Sequence, residues 1–239
     1  MKYLEAVTDF FKSPKWVMNL LFAGICILVP FIGPVILIGW LITGFWTRTD
    51  ERFETFPDFD LNQLSKYLGR GLWPVLVQIT AAFVVGVGLM IVVMIPMMIL
   101  TAVLHSDGGG FFATIMGLIL SLISLVLYVA VIAGLTMVMI PLSVRSTLTQ
   151  DFMQSFDIPW LKQFILMMWK DMLIVALALV GIYIVLSIAG FAALCIGIFF
   201  AIALFYFAWH HLAWQTYKLY LSRGGQPVPV SQKLAAGTL

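Results

Sequence analysis

The stretch VPFIGPVI, Val29 to Ile36, decides how this chain is read. It sits inside an uncharged, mostly apolar run from Val17 to Trp46, 30 residues long and interrupted by Pro30 and Pro34. Proline inside a helix removes a backbone hydrogen bond and clashes with the preceding turn, so the run is either one kinked helix or two short arms joined by a turn. The two alternatives place everything downstream on opposite sides of a membrane.

That a membrane is involved follows from composition. The 239 residues are 62% hydrophobic and 10% charged, against about 25% charged in a soluble domain. Several uncharged runs exceed the roughly 18 residues that mark a spanning helix. They are apolar all round, which excludes the alternating strands of a β-barrel. The expected class is an all-α polytopic membrane bundle.

Charge selects the turn. If every apolar unit doubles back, all 13 Lys and Arg fall in residues 1–16, 47–73, 141–171 and 215–239, on one side. A single crossing would leave Lys2, Lys12 and Lys15 alone on the other. Cytoplasmic segments concentrate Lys and Arg, so both termini are expected in the cytoplasm, with the chain in the inner membrane. Each arm of the first hairpin has only about a dozen residues, or roughly 20 Å of helix, against a hydrocarbon core of about 30 Å. A re-entrant or steeply tilted pair is therefore expected, with Pro30, Gly33 and Pro34 as its turn.

The rest of the chain follows one grammar. Tyr3, Leu4, Val7, Phe10 and Phe11 share a helical face, as expected of a short interfacial helix. Ser13 is placed to cap a helix starting at Pro14. Asp60 caps a second amphipathic segment, with Leu61, Leu64, Tyr67, Leu68 and Leu72 aligned, and Trp73–Pro74 then opens a long apolar stretch to Leu104. HSDGGG, 105–110, turns the chain into Phe111–Ile140. Asp157, 97 residues after Asp60, caps a third segment with Leu161, Phe164, Ile165, Met168 and Met172 on one face. The apolar run from Met172 to Trp214 is long enough for two spans meeting near Gly190. Residues 1–239 thus form a single membrane domain: 1–46, 47–140 and 141–223 are three units of interfacial helix plus apolar hairpin, and 224–239 an extended tail. That makes about four long spans plus the short hairpin.

Seven tryptophans, Trp16, Trp46, Trp73, Trp160, Trp169, Trp209 and Trp214, are placed as interface anchors, with Trp40 the exception. Ala193, Gly197 and Ala201, and separately Ala82 and Gly86, are spaced four apart, as helix-packing or partner faces are. Asn19, Gln78 and Tyr128 read as interhelical hydrogen-bonding groups. Adjacent helical residues point about 100° apart, so His210 and His211 read as interfacial aromatics rather than joint ligands of one metal. Cys26 and Cys195 read as inert buried thiols. The charged N-terminal segment, which contains Glu5 and Asp9, does not read as a removable signal, and Ile25 spoils the lipoprotein-like AGIC. Of the acidic and basic residues only Asp107 falls outside the proposed cytoplasmic segments, whereas ion-coupled transport usually uses charges at membrane depth. No catalytic, cofactor-binding or metal-ligating set is read.

SPKW, the broken first hairpin and FPDFDLNQLSKYLGRGLWP together resemble a bacterial and archaeal membrane-protein family catalogued as domain of unknown function 4013. Pro57, Asp58, Asp60, Tyr67 and Gly71 carry its Pro–acidic–aromatic motif and the following Gly. The resemblance implies a multi-span membrane protein and carries over no catalytic residue. The expected function is a non-enzymatic accessory or scaffold subunit of a larger membrane assembly. Its partners would be the lipid bilayer and other membrane subunits or a second copy, with no nucleic acid. The alternative is a transporter, channel or lipid-handling conduit that uses the re-entrant Pro30–Pro34 hairpin.

Overall fold

The computed structural model describes residues 1–89, 98, 101–102, 111–193 and 196–234. The 105–110 turn with Asp107, and Cys195, lie outside them. The described elements are helical: α1 (Glu5–Thr8), α2 (Trp16–Leu28), α3 (Ile32–Trp46), α4 (Leu64–Leu89), α5 (Phe111–Thr149), α6 (Phe152–Ser155), α7 (Ile158–Ala192) and α8 (Gly197–Ser222), with short 3-10 turns. Four stretches are long and apolar enough to cross a membrane: Leu61–Gly88, Ile115–Thr149, Phe152–Ala192 and Gly197–Ser222.

The first apolar run turns back. Val29, forced away from helical geometry by the proline that follows it, is extended at φ −93° and ψ 101°. Phe31 enters the left-handed region at φ 64°, which is uncommon for a bulky residue. Gly33 N–H then donates to the Val29 carbonyl at 3.0 Å, and Pro34 falls in the first turn of α3, where its missing donor is harmless. A Cβ on Gly33 would overlap the Cys26 carbonyl, so the turn is as tight as backbone allows. The arms are antiparallel, because Asn19 on α2 and Trp40 on α3 reach the same loop. Asn19 Oδ1 accepts from Phe59 N–H at 2.9 Å, and Trp40 Nε1 donates to the Pro57 carbonyl at 2.9 Å. This explains the exceptional tryptophan: Trp40 is a buried clamp rather than an interface anchor. Ser13 does not cap a helix at Pro14. The helix starts at Trp16, and the Ser13 hydroxyl accepts from Asn19 Nδ2 instead.

Both aspartates cap as expected, Asp60 accepting from Asn62 N–H at 2.9 Å and Asp157 from Trp160 N–H at 3.2 Å. The segments they open are not separate interfacial helices. α4 continues through Pro74 and α7 runs unbroken to Ala192, each being amphipathic segment and span in one rod. The two segments also use their faces differently. On α7, Leu161, Phe164, Met168 and Met172 are buried as expected, and Val175 and Leu179 continue the same stripe. Of the five residues aligned after Asp60, only Tyr67 is buried; Leu64 is half-buried, and Leu61, Leu68 and Leu72 face outwards.

Close helix contacts depend on missing side chains. α3 crosses α4 where Gly39 lies on the Tyr67 carbonyl and Gly71 on the Val35 carbonyl. The α7–α8 hairpin turns between Ala192 and Gly197, and Gly190 packs against Ile198 and Ala201. Ala193 falls in that turn rather than on α8. Gln78 Nε2 links α4 to α5 through the Ser143 hydroxyl at 3.2 Å, as expected of an interhelical group.

The tail after Ser222 is extended but docked. Trp160 Nε1 donates to the Gln226 carbonyl, the Tyr217 hydroxyl accepts from Val228 N–H, Ser231 N–H donates to the Leu148 carbonyl, and Arg70 donates to the Lys233 carbonyl. Its own Val228 and Leu234 are buried against the helices.

Candidate functional site

The most elaborate polar arrangement lies at the charged end of the bundle, where the N-terminal segment meets α8 and the loop after α3. An amphipathic helix over Tyr3–Phe11 shortens in the structure to α1 and a 3-10 turn, Asp9–Lys12. That tightening rotates Asp9 inwards with Phe10, leaving Leu4 84% exposed. Beside it opens a cleft of about 630 Å3 whose walls include Lys2, Glu5, Glu54, Trp214 and Lys218.

Asp9 and His211 close one side of this cleft. Both side chains are 2% exposed, with His211 Nε2 3.3 Å from Asp9 Oδ2 and Lys12 Nζ 2.7 Å from Asp9 Oδ1. The His211 tautomer follows from the network. Lys2 N–H donates to Gln215 Oε1 at 2.8 Å, and Gln215 Nε2 donates to the Lys2 carbonyl, which fixes the amide orientation. Gln215 Nε2 therefore also faces His211 Nδ1, at 3.1 Å, as a donor. Nδ1 must accept, so the ring proton sits on Nε2, the nitrogen 3.3 Å from the Asp9 carboxylate. Phe53, at 4.8 Å between centroids, and Phe45, at 5.5 Å, wall the ring on two sides.

His210 does not join this group. Its Nδ1 lies 2.9 Å from the Tyr206 carbonyl, consistent with the divergence of adjacent helical positions. Both histidines are buried within the protein, at 1% and 2% exposure. Among the described residues no group of three or more His, Cys, Asp or Glu is placed to hold a metal ion.

The cleft rim is a ring of ion pairs: Lys218 to Glu51 at 2.6 Å, Lys2 to Glu5 at 3.0 Å, and Arg52 to Asp50 at 3.1 Å. The Arg52 side chain, the Arg52 backbone N–H and the Thr55 hydroxyl all donate to Asp50 and hold its carboxyl down to about 2, from an ordinary value of 3.8. A depressed carboxyl supports the fold above its ordinary value and loses that support as pH falls through the depressed one. The 50–55 loop should therefore keep its order at pH 4 and lose it as pH falls towards about 2. Cleavage after Arg52 in a pH series with an acid-stable protease checks this; loosening already at pH 4 would contradict it.

The sequence-derived positions distribute as follows. Trp16 opens α2 edge-on to Phe11, Trp46 closes α3 against Tyr217, and Trp214 lines the cleft. Trp169 is exposed with Lys170 over its ring, Trp73 and Trp209 are half-buried, and Trp160 is buried under the tail. Gly197 and Ala201 serve the α7–α8 hairpin, whereas Ala82 and Gly86 face outwards, with nothing near the position of a Gly86 Cβ. Pro30, Gly33 and Pro34 form the turn. Asp9, Gln215, Glu51 and Lys218 escaped sequence reasoning. Asp9 and His211 are 202 positions apart, and the only local signal was an acidic residue directly preceding two phenylalanines.

A family model described as a protein of unknown function (DUF4013) matches residues 22–196. No curated protein and no solved structure matches the chain.

Proposed function

For a chain that belongs to the DUF4013 family, whose function is unknown, we propose the role of a non-enzymatic accessory or scaffold subunit in a larger assembly of the inner membrane, with both termini cytoplasmic. The observation that carries this reading is the outer surface of α5. Only 6% of its most apolar window is buried, and Leu118, Leu122 and Val126 are 64%, 65% and 69% exposed. On the same helix Gly117 and Gly134 have open space where a Cβ would stand, which lets a second backbone approach closely. Tyr128, 63% exposed, presents a phenol to an environment that offers it no hydrogen bond unless a partner does. The buried polar groups at the charged end support a structural role. Arg145 is held by the Gln154 carbonyl at 2.6 Å and Asp157 at 2.7 Å, and Arg70 by Thr43 and the tail. The concentration of Lys and Arg supports the topology.

Extraction in a mild detergent, followed by native mass measurement and cross-linking from Leu122→Cys, tests the reading. The expected result is a mass above one chain and a cross-link from α5 to another membrane protein or a second copy. A lone monomer without cross-links overturns it. If that monomer also moves solute or lipid in proteoliposomes, and replacing Pro30 and Pro34 abolishes the activity, the re-entrant conduit takes its place.

A further inference from the structure

On the face of α1 away from the charged cleft runs a second, apolar groove. It lies between α1 and the outer flank of α7, encloses about 440 Å3, and is lined by Leu4 and Val7 on one side and Ala178, Gly181, Ile182 and Val185 on the other. Ala178, Ile182 and Val185 fall at i, i+4 and i+7 and so form one stripe. Gly181 adds no side chain, and the space where its Cβ would stand is open. The groove is therefore floored by a membrane-capable helix and walled by the N-terminal segment, whose Leu4 is 84% exposed.

One end of this groove is polar. Asp171 lies two helical turns before Ala178 on the same face of α7, and Arg223 holds its carboxylate at 2.5 and 3.1 Å. Next to it the Lys170 ammonium lies over the Trp169 ring at 5.5 Å, with no carboxylate partner among the described residues. Tyr3, which lines the groove, has its phenol pushed up by burial and then by the charge of Asp171. A phenol lining an apolar trough, with two cations beyond its Asp171 end, is the arrangement of a membrane interface.

We propose that this groove holds one acyl chain of a membrane phospholipid, with the phosphate at its Lys170–Arg223 end. The groove is continuous with the lipid-facing flank of α7, where Ile174, Leu177 and Ile188 are exposed, so a chain enters without crossing polar surface. It is too small for a helix about 10 Å across, which excludes a partner span as occupant.

The test uses the full chain in vesicles of phosphatidylethanolamine and phosphatidylglycerol, doped with a phospholipid bearing a photoactivated diazirine midway along one acyl chain. After irradiation and digestion, labelled peptides are mapped. Label at residues 4–8 and 178–186 should exceed that on the exposed face of α4 around Phe83, which is 71% exposed, by about tenfold, the equivalent of two or so buried methylenes. Gly181→Trp, which fills the trough, should remove that excess and leave the α4 label unchanged. Val185→Trp should do the same and guards against misfolding of the first variant. Lys170→Glu should lower the groove label severalfold. Groove label no higher than that on α4, or label indifferent to both tryptophans, overturns the site, and label indifferent to Lys170→Glu overturns the headgroup placement.

Discussion

Gly71→Ala is expected to break the fold, while Gly69→Ala, two residues away on the same helix, is expected to stabilise it. A Cβ at residue 71 would overlap the Val35 carbonyl, and one at residue 39 would overlap the Tyr67 carbonyl. In both cases the obstacle is backbone, so no side-chain rotation relieves it and the helices must separate. Separation opens the core beneath, where Ile38, Ile42 and Tyr67 are at most 2% exposed. Overpacking of this kind costs about 3 kcal/mol or more, which for a chain of this length lowers the melting temperature by roughly 10 °C. Gly69 has nothing within 4 Å of its Cβ position. There, alanine gains up to about 1 kcal/mol of helix propensity and raises the midpoint by a few degrees. Thermal unfolding of both variants and of Gly39→Ala in one detergent reads the difference. A Gly71→Ala protein that melts like the parent would mean that α3 and α4 do not cross there.

The second large effect belongs to Asp9. Replacing it with alanine leaves the buried His211 Nε2–H without the carboxylate beside it and removes the partner of Lys12, whose own side chain is 46% exposed and regains water. An unsatisfied buried donor costs about 1–3 kcal/mol and loss of an exposed pair less than about 1 kcal/mol, so about 2 kcal/mol is expected. The consequence is local first: α1 and the Asp9–Lys12 turn come away from α8, and amides 6–12 exchange with solvent faster. Glu5→Ala, which removes an exposed pair with Lys2, should change stability by less than about 1 kcal/mol. Equal effects from the two variants would show that Asp9 is no anchor. A double variant, Asp9→Ala with His211→Ala, should lose less than the sum of the singles, because each single change strands the other group.

The contrast between these sites shows what the sequence makes legible. Pro30 announces a break because proline acts on its own neighbours, and Asp60 and Asp157 announce caps because an N-cap bonds within three residues. The meeting of two spans near Gly190 follows from length alone. These are local effects, and the structure keeps them. The fusion of capped segment and span into single rods was hidden because Trp73–Pro74 looks like a boundary. Yet proline inside a long helix loses one hydrogen bond that packed neighbours compensate. The outward turn of Leu61, Leu68 and Leu72 was hidden because an apolar face does not say whether protein or lipid covers it. The Asp9–His211 pair and the Gly39 and Gly71 crossings were hidden for a third reason. Each joins residues from separate parts of the chain, and no periodicity records which glycine or which acid will find a partner.

The docked tail has a consequence in time rather than in space. Gln226 to Lys233 touch α7 through Trp160, α8 through Tyr217, α5 through Leu148 and α4 through Arg70. Every one of those helices is synthesised before the segment that ties them, so a ribosome delivers the four rods first and the lashing last. Until residue 233 has emerged, these four helices lack their common tie, and a nascent chain stalled anywhere earlier presents Trp160, Tyr217 and the tail-facing side of Arg70 unclaimed.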